Sequence, residues 1–231
     1  MRRLVKWMLI LSMLAAPANG LAWNDETHIA IARAAGYKKW FNAAGADMAK
    51  IKAGNIEKKN HFVNNPRGAT VTPEMVMEQA SRYNDPGDAD GHLYGAIIGA
   101  LRANAKAARD NKYTEFHLAF CAHYVGDLSQ PLHNTPFNTF NKKAHAGNDA
   151  IINAEVLDHL SLIRIYPIRI RSERDLARHV ARIANLSMAL AYRLEKENRN
   201  LSRQEAYRQI SHSASLLRGI LNWVGKFHSN P

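Results

Sequence analysis

Cysteine is almost missing: Cys121 is the only one among 231 residues. No intrachain disulfide can form, so an exported chain of this kind needs a good core or a bound metal to hold it. Acidic residues are scarce as well, 20 Asp and Glu against 31 Lys and Arg, for a net charge of +11. Such a chain favours polyanionic partners: nucleic acid, anionic headgroups or acidic glycans. Long apolar runs are absent. The only candidate, WMLILSMLAAP at residues 7–17, is too short for a membrane-spanning helix, so the mature chain is expected to be soluble and exported. There is no internal repeat, no low-complexity tract and no Pro/Gly/Ser linker, so the reading is one domain with a sizeable core.

What is present begins with an address label. MRRLVK is basic, the apolar run follows, and NGLA ends in small residues. Residues 1–22 are expected to be a secretory signal peptide, cut after Ala22. The remaining domain, residues 23–231, is expected in the periplasm or the medium. Losing Arg2, Arg3 and Lys6 takes its charge from +11 to +8.

Helical periodicity dominates. Helices are expected over Asn24–Ala35, Thr72–Arg82, His92–Asn111, Thr114–Leu128, Ser172–Asn198 and Ser202–Phe227. Thr114–Leu128 is apolar on most faces, which places it centrally. Ser202 and Glu205 have the spacing of a capping box. LIRIYPIRI, residues 162–170, alternates but holds Pro167 and has no partner strand, so it reads as an extended connection. The fold class is all-α, a single-domain multi-helix bundle.

The stretch HYVGDLSQPLH carries the chemistry. His123 and Asp127 lie one turn apart on the same helix face, where they can grip one ion. Pro131 ends the helix and lets His133 return from outside it. Imidazole nitrogen and carboxylate oxygen are natural zinc ligands, and the two oxygens of Asp127 can bridge two ions. Matching partners stand elsewhere: a second His-x3-Asp pair at His145 and Asp149, His61 with Asp47 before it, and His28 five residues after Trp23. Signal cleavage would free the Trp23 amine, which chelates with its own carbonyl oxygen.

With these residues in view, the chain resembles the zinc-dependent phospholipase C family of bacteria and its structural relatives, the three-zinc single-strand-specific nucleases of fungi and plants. The elements that carry the resemblance run from Trp23 to Asp149. It implies a cleft with three zinc ions. Asp47, His61, His123 and Asp127 would hold one; Asp127, His28 and the amine and carbonyl of Trp23 a second; His133, His145 and Asp149 a third. It further implies a phosphodiesterase that uses activated water, with Asp47 as general base or water-orienting group.

Rival readings concern both site and substrate. Glu57, four residues before His61, competes with Asp47 as ligand. NDPGDADGH, with Asp85, Asp88, Asp90 and His92, reads as a turn ahead of a helix rather than a metal loop. Cys121 reads as a packed thiol, and Trp40, Phe41 and Trp223 as core. His117, His159, His179, His212 and His228 lack partnered spacing. HYVGDLSQPLH and the absent disulfides favour a phospholipase C, whose substrate would be phospholipid with transient contact at a membrane surface. The alternative is a nuclease taking single-stranded DNA or RNA, which would need aromatic stacking platforms beside the zincs. From another class comes a non-catalytic exported zinc-binding protein. No protein partner is implied.

Overall fold

The computed structural model describes residues 23–228. The expected signal peptide and its cleavage point involve residues 1–22, outside the described residues. In chain order the helices are α1 (Asp25–Ala35), α2 (Gly45–Ala53), α3 (Asn55–Lys58), α4 (Pro73–Gln79), α5 (Leu93–Arg109), α6 (Glu115–Leu128), α7 (Thr139–Asp149), α8 (Glu173–Glu197) and α9 (Arg203–His228). Short 3-10 turns cover Trp40–Ala44, Lys59–His61 and Pro131–Asn134. Among the described residues there is no strand. None of the described helices is long and apolar enough to cross a membrane.

The helix boundaries follow local chemistry. Ser202 Oγ accepts from Glu205 N at 3.2 Å while Glu205 Oε2 accepts from Ser202 N at 2.9 Å, so the capping box forms. Ser172 Oγ accepts from Asp175 N at 3.1 Å to open α8, and Asn198 closes it in the left-handed region. The expected helix over Thr72–Arg82 is split: α4 stops at Gln79 and a 3-10 turn, Ala80–Arg82, follows. Residues 163–170 are extended, as the alternation and Pro167 suggest.

α6 is the hub. It packs on α1, α2, α5, α8 and α9. Cys121, Tyr124, Val125 and Leu128 are fully buried along it. Burial pushes the Cys121 thiol upward, so it is a packed, protonated group. Trp40 and Trp223 pack partly buried on the core. Phe41 does not: it is 59% exposed. In its 3-10 turn Trp40 and Ala43 stand three residues apart and share the inward side, so Phe41 faces out.

Candidate metal centre

Three groups of ligand-type side chains converge where α1, α2, α6 and α7 meet: His28 with His123 and Asp127; Asp47 with His61 and His123; His133 with His145 and Asp149. Within each group the ligand atoms lie within 4.8 Å of one another. All eight side chains singled out from the sequence are therefore gathered. Asp127 joins the groups. Its Oδ1 is 3.4 Å from His28 Nε2 and 3.6 Å from His133 Nδ1. Its Oδ2 is 2.7 Å from His61 Nδ1 and 3.4 Å from His123 Nε2. His123 serves two groups, because its Nε2 lies 3.4 Å from both Asp47 Oδ1 and Asp127 Oδ2; its ring stacks on His28 at 3.7 Å.

The backbone permits this crowding. A Cβ on Gly126 would lie 2.4 Å from His28 Nδ1, so only glycine lets α1 press its histidine onto α6. Asn24 N donates to Asp149 O at 3.4 Å, which ties the start of α1 to the end of α7. Trp23, just before it, is fully buried, and its indole N–H has no hydrogen-bond partner.

Each of four histidines has one ring nitrogen engaged and the other aimed inward. His123 Nδ1 is 2.7 Å from Ala43 O, and His133 Nδ1 is 2.6 Å from His61 O. His145 Nδ1 meets Asn141 Oδ1 at 2.7 Å, and His61 Nε2 meets Glu57 Oε1 at 3.1 Å. Such outer contacts fix tautomer and ring orientation in metal sites. The inward atoms His123 Nε2, His133 Nε2, Asp127 Oδ1 and Asp149 Oδ2, with both nitrogens of His28, make no hydrogen bond. Buried polar atoms left this way cost about 1–3 kcal/mol each, so the cluster is built for a further occupant.

Electrostatics agree. Burial lowers His28 and His145 to about 4 and His133 to about 3, keeping their rings neutral and their lone pairs free. Burial would also lower His123, but Asp47 and Asp127 outweigh it and raise it to about 10. Asp127 stays far below the carboxylate range, because the charged His123 ring overcomes its burial. Asp149 is the reverse: burial pushes it well up, and Gln130 Nε2 donates to it. A cation beside Asp149 removes that penalty. Nitrogen and oxygen donors in this mixture suit zinc.

Asp47 and Glu57 separate by position. Asp47 Oδ1 is 3.4 Å from His123 Nε2 and pairs with Lys50. Glu57 sits behind His61 and also accepts from Tyr124 Oη at 2.6 Å. Asp47 thus faces the cluster and Glu57 backs it. The segment around Asp85 and Asp88 is a turn: Gly87 N donates to Asp85 Oδ1 at 2.8 Å, and Asp88 Oδ2 meets His92 Nδ1 at 3.0 Å.

Several supporting residues escaped the sequence reading. Lys50, Gln130 and Asn141 hold Asp47, Asp149 and His145 in turn. Asn141 stands four residues before His145, so helical spacing on α7 was the available signal. Beside the cluster opens a cleft of about 630 Å³, bounded by Lys50, Lys58, Phe62, Phe137 and His145. Phe137 is 55% exposed and stands edge-on to His145 at 5.8 Å.

Comparison with protein families matches residues 29–216 to the S1/P1 nuclease family. The chain belongs to that family. It is accordingly an enzyme, a zinc-dependent phosphoric ester hydrolase of the three-zinc superfamily. No curated protein and no solved structure matches the chain.

Proposed function

We propose that this S1/P1 family member is a nuclease that cleaves single-stranded DNA or RNA with three zinc ions. The observation that carries the reading is the family match over residues 29–216, set against a cleft that has an exposed ring, Phe137, beside the ligand cluster. Exposed rings hold unpaired bases by stacking; a choline headgroup can also sit over such a ring, so it is the family match that favours the base. The phospholipase reading rests on the HYVGDLSQPLH string, on His-Phe followed by an Asx-Pro, and on a short chain with an expected signal and no disulfide; the family match favours the nuclease branch instead.

In this reading Asp47, His61, His123 and Asp127 hold one ion. Asp127, His28 and the terminal amine and carbonyl of Trp23 hold the second, once export has removed residues 1–22. His133, His145 and Asp149 hold the third. Bound zinc supplies Lewis-acid chemistry, acidifying water and offsetting charge on a phosphoryl group. Asp47 stays ionised, since His123 and Lys50 overcome the opposing effect of its burial. It can therefore accept a hydrogen bond from the attacking water and fix its orientation. Lys58 at the cleft wall attracts the phosphate chain, and Phe62 and Phe137 flank the space for a base.

The test is direct. Purified mature protein is given single-stranded DNA and, separately, phosphatidylcholine vesicles, with zinc counted in the same sample. The nuclease reading expects DNA cleavage with about three zincs per chain. Hydrolysis of the lipid with intact DNA would overturn it in favour of a phospholipase. Bound zinc with neither turnover would leave a non-catalytic binding protein.

A further inference from the structure

A second polar cavity, of about 440 Å³, lies between the extended segment and the first turns of α9 and shares no lining residue with the zinc cleft. Arg164, Arg203 and Arg208 line it together with Tyr166, Tyr207 and Ser211. No acidic residue lines it among the described residues. Arg203 pairs with Glu155 at the rim and lies over the Tyr207 ring. Arg164 and Arg208 are exposed and have no carboxylate within ion-pair distance among the described residues. Arg182 and Arg208 both act on His212, whose ring lies 6.0 Å from that of Tyr166, so the basic surface continues past the cavity.

The walls are rigid. Arg164 N donates to Ser211 Oγ at 3.0 Å, and Tyr166 N donates to Ser215 Oγ at 2.8 Å. A Cβ on Gly219 would come within 3.0 Å of Ile168, so glycine lets the extended segment lie against α9. Ile163 is buried while Arg164 and Tyr166 are exposed, and the phase of the alternation reverses around Pro167. The cavity is thus lined by the guanidinium groups of Arg164, Arg203 and Arg208 with one exposed ring, Tyr166, 43% exposed. Arginine matches phosphate with paired donors, and a tyrosine face accepts a base of any sequence.

We infer that this face is a second binding site for single-stranded nucleic acid, in which Arg164 and Arg208 contact phosphates and Tyr166 stacks a base. It rests on the nuclease reading of the zinc cleft and extends it: a long strand is held at two places, a dinucleotide at one. The site has no part in the chemistry, so it acts on polymer affinity alone.

The test compares wild type with Arg164→Ala/Arg208→Ala and with Tyr166→Ala, all on exposed side chains, with circular dichroism to confirm the fold. Substrates are a thirty-nucleotide oligo-dT and a thymidine dinucleotide. The double variant should raise KM for the oligonucleotide about 10-fold at low salt, with kcat and dinucleotide cleavage unchanged. Two lost phosphate contacts should also make the slope of log affinity against log salt shallower by about 1.4. Tyr166→Ala should weaken oligonucleotide binding about five-fold or more. Unchanged oligonucleotide KM and salt slope would remove the site while leaving the nuclease intact. Anisotropy of a labelled oligonucleotide separates the two ideas. If wild type cleaves nothing yet binds the strand through these residues, the nuclease reading fails and the site stands. If the variants lose binding to phosphatidylglycerol vesicles but not to the oligonucleotide, the face belongs to a lipid surface and the inference is wrong.

Discussion

Asp127→Asn perturbs the one side chain that all three ligand groups surround. The carboxylate is fully buried, with His61, His123, His28 and His133 at 2.7, 3.4, 3.4 and 3.6 Å. The substitution keeps the shape, removes the charge and turns one oxygen into a donor that repels a cation. A unit charge pair about 4 Å apart in a partly screened interior is worth about 4 kcal/mol. At about 1.36 kcal/mol per decade, that is roughly a thousand-fold in affinity for each ion that Asp127 touches. Two ions should therefore be lost on gel filtration, while the one at His133, His145 and Asp149 remains. Zinc is counted by elemental analysis, and cleavage of single-stranded DNA should fall below about one per cent of wild type. Circular dichroism guards against the trivial outcome, because losing one member of a buried charged cluster also destabilises the fold, by about 3–5 kcal/mol when the partner is stranded. A folded variant that retains all three zincs refutes the bridging role and the mechanism built on it.

Three further outcomes follow from the same geometry. Leaving one extra residue ahead of Trp23 should cost one zinc and most of the activity, and a full complement of metal at full rate would dismiss the terminal amine as a ligand. Glu57→Gln should weaken zinc binding about 10–100-fold through His61, yet recover a full count and near-normal kcat at saturating zinc, read by titration against a chelator. Chelation should lower Tm by about 8–16 °C for each ion removed, since one ion at about a thousand times its Kd contributes about 4 kcal/mol and each kcal/mol moves a chain of this size by about 2–4 °C; an unmoved melting curve would mean that the fold does not depend on the ions.

The long helices were legible because their buried faces are apolar. α8 buries Leu176, Val180, Ile183 and Leu194 on one stripe, and periodicity finds it at once. α7 escaped for the opposite reason: its buried side chains are Asn141, His145, Asn148 and Asp149 with Ala144, so the inward face reads as polar. α2 escaped too, because Ala46 is its one buried residue. The convergence of these eight side chains was legible through chemistry rather than periodicity, since His-x3-Asp puts two ligand-type groups on one helix face. What stayed hidden were supports reaching across the chain, such as the bond from His133 to the backbone of His61, 72 residues away. No local pattern encodes a contact of that span. The ambiguity between Asp47 and Glu57 was also beyond the sequence, because both stand near His61 and only the turn of the chain decides which faces the cluster.

The α7 case explains why so polar an interior persists in a chain with a single cysteine. Asn148 Nδ2 binds Ala144 O at 2.8 Å while its Oδ1 accepts from Leu201 N at 2.7 Å, pinning the α8–α9 turn to α7. Asn141 binds Leu132 O at 2.8 Å and positions His145. Asn141 thus aims a ligand-type side chain and ties two segments together, and Asn148 beside it does the second alone. A core of this kind is costly while its inner nitrogens and oxygens are unpartnered and becomes favourable once cations join them. In a chain that cannot form an intrachain disulfide, ions bound as proposed would also close the loops between α1, α6 and α7. Under the proposed assignment, catalytic and structural demands on the eight clustered side chains are the same demand, which is why apolar replacement of any one of them should cost stability as well as rate.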